Sequence, residues 1–121
     1  MSNFKIPEIT PENHLVIEGA GGLMVPLNDD AMIIDLIKQL DIPVLLVSRS
    51  SLGTLNHTFL SLDQLRRYKI DILGVIMSGP LNLSNRRAIE KYGDVPVIGE
   101  LPQLDLINAD LLKQEFKRIF G

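Results

Sequence analysis

The sequence predicts an α/β domain of the doubly wound kind, a parallel sheet of about four strands with flanking helices. Three observations carry that expectation. Apolar runs of strand length alternate with longer stretches whose apolar residues recur at three- and four-residue steps. One run, Val44-Leu45-Leu46-Val47, is apolar without alternation, the pattern of a parallel strand covered on both faces. Another, Leu15-Val16-Ile17, leads straight into Glu18-Gly19-Ala20-Gly21-Gly22, a carboxylate and three glycines at what would be a strand's carboxyl end. The 121 residues fit a single α/β domain spanning 1–121.

Residues 1–13 contain Pro7 and Pro11 and read as a lead-in loop. The first strand is expected over 14–18. Pro26 interrupts the apolar segment 23–27, which becomes a loop or a short edge piece, because proline cannot donate to a ladder. Asn28-Asp29-Asp30 can cap a helix over about 30–40 whose apolar face is Ile33, Ile34, Ile37 and Leu40. The second strand covers 44–48. A helix over about 54–68 follows, with Leu55, Phe59, Leu62 and Leu65 as its stripe and basic residues in the last turn, where cations suit the helix dipole. The third strand covers 72–77. A short helix over about 84–92 is capped by Ser84, buries Ala88, Ile89 and Tyr92, and closes on Gly93. The fourth strand lies within 95–101. Asn108 caps a last helix over about 109–120 with Leu112, Phe116, Ile119 and Phe120 on one face. Right-handed crossovers place every strand's carboxyl end on one edge. Glu18–Gly22, Ser48–Asn56, Ser78–Pro80 and Glu100–Asp105 should therefore build any ligand site.

Composition removes several function classes. The net charge is −3 with the two signs interspersed, so no basic stripe points to nucleic acid. Cysteine is absent, which excludes a disulfide framework, a thiol nucleophile and a cysteine metal site. The apolar runs are far shorter than the roughly 20 residues that span a bilayer. The first six residues lack a signal peptide's apolar stretch. A cytoplasmic protein with no membrane partner is expected.

The chemistry-bearing stretch is Glu18–Gly22. A carboxylate can hold a hard cation, and glycines let backbone N–H groups approach an anion with no Cβ in the way. The same residues also suit a plain tight turn. Ser48, Ser50, Ser51 and His57 lie close in sequence, but no Gly-x-Ser-x-Gly elbow accompanies them. His14 and His57 with Glu18 match no metal-ligand spacing.

The sequence resembles dethiobiotin synthetase. The matching blocks are Val16-Ile17-Glu18-Gly19-Ala20-Gly21-Gly22 with Val25-Pro26-Leu27, Pro43–Val47 followed by Leu52-Gly53-Thr54-Leu55-Asn56-His57, Gly74-Val75-Ile76, and Pro96-Val97-Ile98-Gly99-Glu100-Leu101-Pro102. The resemblance implies a three-layer P-loop NTPase-like fold, a homodimer, and ATP- and Mg2+-dependent closure of a ureido ring on 7,8-diaminononanoate with CO2. It implies that Glu18 binds the magnesium and that Gly19, Ala20 and Gly21 run beside nucleotide and substrate. It also implies that Leu52, Gly53, Thr54, Leu55 and Asn56 form a helix N-terminus receiving the substrate's tail carboxylate across the dimer interface, an anion site by general physics as well. Ser78 and Gly79 stand where the family reads the adenine edge, with Ser78 in place of the usual Asn. Pro102, Gln103 and Leu104 match a loop beside the adenine.

One family hallmark does not occur in these residues. There is no G-x-x-x-x-G-K-[ST] motif, so neither the P-loop lysine nor its magnesium-binding hydroxyl is present. By resemblance the chain corresponds to a truncated, C-terminal half, with no catalytic residue of its own and no useful turnover alone. Two expectations follow. Either the chain works with a separately supplied N-terminal P-loop half, or it is a non-catalytic remnant that keeps the fold as a binding or dimerisation module.

Overall fold

The structure, a computed structural model, describes residues 5–121. Residues 1–4, part of the lead-in loop and of the segment in which no signal peptide was read, lie outside the described residues. The chain divides into two compact units, one ending at Asp41 and one from Ile42 to Gly121.

Among the described residues the first unit is mostly irregular up to the helix α1 (Ile33–Leu40). Residues 14–18 are not a strand, and Val16 is 90% exposed. Strand formation is not local: each N–H and C=O needs a neighbour, and this segment pairs with no strand among the described residues. Pro26 instead makes an isolated antiparallel bridge to Met32, as an edge proline can. The N–H of Ile33 donates to the Val25 carbonyl at 2.9 Å, and that of Ile34 to the Leu23 carbonyl at 3.0 Å. The helix begins later than the Asn28–Asp30 cluster implies. Asn28 holds the Asp30 N–H in a local turn, while Asp35 in the first helical turn accepts from the Met32 N–H at 2.8 Å. Of the helix's expected apolar face, Ile33 and Ile34 are buried and Ile37 and Leu40 half-buried.

The second unit is a three-layer α/β arrangement. Its elements are β1 (Val44–Arg49), α2 (Thr54–Arg67), β2 (Ile72–Ser78), α3 (Leu83–Gly93), β3 (Val97–Leu101) and α4 (Ala109–Phe120). The strands form one parallel sheet in the order β1-β2-β3. The sheet thus has three strands where four were expected, the difference being the unpaired segment 14–18. On one face, Leu62 of α2 and Ile89 of α3 close over Val75, Met77, Val95 and Val97, all nearly inaccessible. Burying side chains of this size stabilises by about 1.5–3 kcal/mol each. On the other face the ladder slips by one residue between Val75 and Ile76, which aligns Ile76 with Gly99. A Cβ at Gly99 would come within 2.6 Å of Ile119, so α4 reaches the sheet there only because residue 99 has no side chain.

Several expectations are corrected here. Strand β1 is not covered on both faces: Leu45 is exposed and Val47 is 64% exposed, because α4 packs at β3 and leaves that face bare at β1. Helix α3 is capped by Asn82, whose Oδ1 accepts from the Asn85 N–H at 2.9 Å, and not by Ser84. Its left-handed terminator is Asp94, while Gly93 is a helical residue packed against Leu62. Tyr92 points outward beneath the Lys91 ammonium. On α4, Asn108 caps as expected, but Leu112, Phe116 and Phe120 are exposed and only Ile119 turns in.

Arg66 and Arg86 are among the side chains that fasten the helices. Arg66 of α2 donates to the Gly93 and Asp94 carbonyls at the end of α3. Arg86 of α3 donates to Glu100 at 2.9 Å, to the Val97 carbonyl at 3.2 Å and to Glu90 at 3.2 Å. The hydrogen bond to Glu100 is the main cause that holds this guanidinium's pKa above its ordinary value. A raised folded-state value means the guanidinium's own titration leaves this contribution fully present at neutral pH and removes it as strongly alkaline conditions deprotonate the group. Arg86→Ala is expected to cost about 1–2 kcal/mol, seen as a lower urea midpoint with an unchanged slope, and Arg86→Lys to recover only part of it.

Candidate functional site

The expected site residues divide between the two units. Glu18, Gly19, Ala20 and Gly21 belong to the first. There Glu18 is exposed on the irregular segment, and Ala20 is exposed beside it. Gly21 and Gly22 adopt φ of 87° and 126°, conformations that favour glycine. A Cβ at Gly19 would press on Ile33 at 3.1 Å. The glycine run is therefore required by local geometry whatever it binds. Among the described residues no three His, Cys, Asp or Glu side chains group to hold a metal ion. Magnesium does not need such a cage, since it is usually held by one or two carboxylates with waters and phosphates. Glu18 is a single exposed carboxylate, the donor type such a site uses.

In the second unit, parallel pairing brings three loops to one edge of the sheet. The first leaves β1 and enters α2. Leu52 is fully exposed at its tip, and Gly53, at φ 92°, is the helix N-cap. Gly53 has no side chain, and no side chain caps this helix. The first-turn N–H groups are thus left without a side-chain acceptor, the condition under which a helix start attracts an anion. Asn56 is exposed and Leu55 half-buried, whereas the hydroxyl of Thr54 is turned inward and paired with Thr58 at 3.3 Å. The Thr54 N–H donates to the Ser51 carbonyl at 3.2 Å, so Thr54 shapes the helix start, and the N–H groups left open are those of its neighbours.

The second loop continues β2. Ser78 is exposed, and Gly79 has φ 122°. The third follows β3, with Gln103 exposed and Pro102 and Leu104 half-buried. Hydrogen bonds carry the ladder past the last rungs. The Ser50 N–H donates to the Ser78 carbonyl at 3.0 Å, and the Gly79 N–H to the Leu101 carbonyl at 2.9 Å. The segments 50–56, 78–79 and 101–104 are therefore one connected edge.

Sequence reasoning missed two participants. Asn82 and Asn85 both direct side-chain amides to the Ser50 carbonyl, at 3.4 and 3.0 Å. Ser50 itself is only 4% exposed, and its hydroxyl has no partner, as is also true of Ser48. An Asn-x-x-Asn pair opening a short helix is a visible signal for a cap, but its second task, reaching a loop more than thirty residues back, is not. His14 and His57 are both exposed, and no metal cluster forms around either among the described residues. No helix among the described residues is long and apolar enough to cross a membrane.

Comparison with known proteins agrees with this architecture. A family model described as AAA domain matches residues 2–110. The biotin biosynthesis bifunctional protein BioCD of Bordetella avium is 58% identical over 95 residues, covering 78% of this chain and 20% of that protein. The ATP-dependent dethiobiotin synthetase BioD of Paramagnetospirillum magneticum is 47% identical over 104 residues, covering 86% of this chain and 50% of the relative. That of Lawsonia intracellularis is 42% identical over 113 residues, covering 89% and 56%. The chain spans about half the length of the dethiobiotin synthetases it matches. With nearly its whole length matched, the chain belongs to the AAA-domain family and is a relative of the dethiobiotin synthetases.

Proposed function

We propose that this chain supplies one half of a dethiobiotin synthetase-type site and works with a P-loop half contributed by other residues. The observation that carries the reading is the uncapped start of α2 after Leu52 and Gly53. It lies on the same connected edge as Ser78, Gly79 and Pro102–Leu104. In this reading Gly53, Leu55 and Asn56 present backbone N–H groups to the tail carboxylate of 7,8-diaminononanoate, Thr54 holds the turn between them through its own N–H bond to the Ser51 carbonyl, and Leu52 lies beside the carboxylate in the dimer contact. Ser78, Gly79, Pro102, Gln103 and Leu104 border the adenine of ATP. Ser78 offers one short hydroxyl where an amide would both donate and accept, so base discrimination from this position is weaker than an Asn would give.

Glu18 is assigned as a magnesium ligand, with Gly19, Ala20 and Gly21 following it past the phosphates. Bound magnesium and ATP supply electrophilic activation of the carboxylated diamine. The chain's own task is binding and orientation, which carry most of phosphoryl-transfer catalysis. The reaction assigned is ATP-dependent ring closure with CO2, in the cytoplasm.

The partners assigned are a second copy of the chain and the P-loop half. Strand β1 pairs only with β2 among the described residues, and Leu45 and Val47 are bare on its uncovered face. An open strand edge with exposed apolar side chains favours association. Light scattering is expected to give at least a dimer, and a monomer at high concentration would contradict this part of the reading.

A second reading is a non-catalytic module that binds an anion at the uncapped start of α2 without turnover. The deciding experiment mixes the chain with a separately expressed P-loop half from a relative and measures dethiobiotin formation. Dependence on ATP, magnesium and both polypeptides supports the enzymatic reading. Glu18→Gln in the pair should then lower turnover by about 100-fold, or roughly 2.7 kcal/mol. A well-folded pair with no product would leave the binding module.

A further inference from the structure

The hydrogen bonds around Ser50 join the three loops of the proposed site through one residue. Ser50 lies just beyond the end of β1, so neither its N–H nor its C=O belongs to a regular strand. Its N–H is taken by the Ser78 carbonyl. Its C=O accepts two side-chain amides, from Asn85 at 3.0 Å and Asn82 at 3.4 Å, which fills both lone pairs. Its hydroxyl is buried so close to Gly79 that a Cβ there would come within 2.6 Å. Gly79 in turn donates to Leu101, at the root of the third loop. On the other side, the Thr54 N–H donates to the Ser51 carbonyl at 3.2 Å, so the α2 start follows directly from where Ser50 is held.

We propose that Asn85 is a positioning residue: its side-chain amide, seconded by Asn82, locks the Ser50 carbonyl and thereby sets the α2 start, Ser78–Gly79 and the 101–104 loop relative to one another. This rests on the functional reading above for what those loops bind. Asn82 is the weaker of the two braces: its Nδ2 reaches Ser50 at the longer distance, while its Oδ1 caps α3. The consequence is coupling. A carboxylate at the α2 start and an adenine at Ser78–Gly79 and 102–104 act on segments that share one brace, so each should tighten the other.

The test compares the full chain with Asn85→Asp and Asn85→Gln. Asp has the shape of Asn without the donor and suits the first turn of α3, so helix stability is preserved. Amide exchange followed by NMR is expected to quicken about tenfold or more at Ser50 and Gly79, whose own partners are untouched, with Leu46 and Leu62 unchanged. Asn85→Gln, which keeps the amide, should restore part of the protection. Unchanged exchange at Ser50 and Gly79, or equal quickening at all four positions, overturns the proposal. Should Asn85→Asp fail to fold, Asn85→Ala decides by the same four amides. In parallel, ADP and 7,8-diaminononanoate are titrated singly and together. The brace predicts that each raises the other's affinity in the wild-type chain and that Asn85→Asp abolishes this enhancement. Absence of any binding by the wild-type chain overturns the functional reading, while the exchange result still decides the brace.

Discussion

The constraint on which the second unit depends is parallel strand pairing. Parallel neighbours cannot be joined by a tight turn, so each pair needs a crossover, here α2 and α3. The crossovers return the chain to the same starting edge, and every strand then ends on the opposite one. That is why residues as distant in sequence as Leu52, Gly79 and Gln103 come from loops on one edge. Packing supports this geometry more than it determines it: Leu62, Ile89, Val75, Met77 and Val97 fill the space under the crossovers.

Pairing continues one step beyond the sheet proper. The Ser50–Ser78 and Gly79–Leu101 bonds and the amides on Ser50 turn three loop roots into a joined rim. A rim of this kind can present backbone groups at fixed positions, which binding an anion at an uncapped helix start requires. The cost is visible too. Two serine hydroxyls, Ser48 and Ser50, are buried with no partner, and an unpaired buried hydroxyl costs about 1–3 kcal/mol. The sheet face at Leu45 and Val47 is likewise left exposed, although the residues are those of a covered strand.

Much of the second unit was legible in the sequence because its signals are local and redundant. The stripe Leu55, Phe59, Leu62, Leu65 found α2, the run 44–47 found β1, and Asn108 found the start of α4. What failed depended on partners. The segment 14–18 has the composition of a strand but pairs with no strand among the described residues, so composition alone did not make it one. The run at β1 describes residues suited to burial on two faces, and its second face has no cover among the described residues. The Leu112–Phe116–Phe120 stripe likewise marks a face that α4 does not bury here. Of the site, the segments were readable and their joints were not. Nothing in the spacing of Ser50 and Asn85 announces a hydrogen bond across that distance, and the inward turn of Thr54 toward Thr58 appears only in three dimensions.

The central claim is that the uncapped start of α2 is a carboxylate site on a joined rim. The most direct measurement is an NMR titration of the full chain with 7,8-diaminononanoate, set against the same diamine lacking its carboxylate. The account predicts saturable shifts concentrated at the amides of Gly53, Thr54, Leu55 and Asn56 with the carboxylate-bearing ligand alone. Equal shifts with both ligands, or shifts that leave those four amides unmoved, would contradict it.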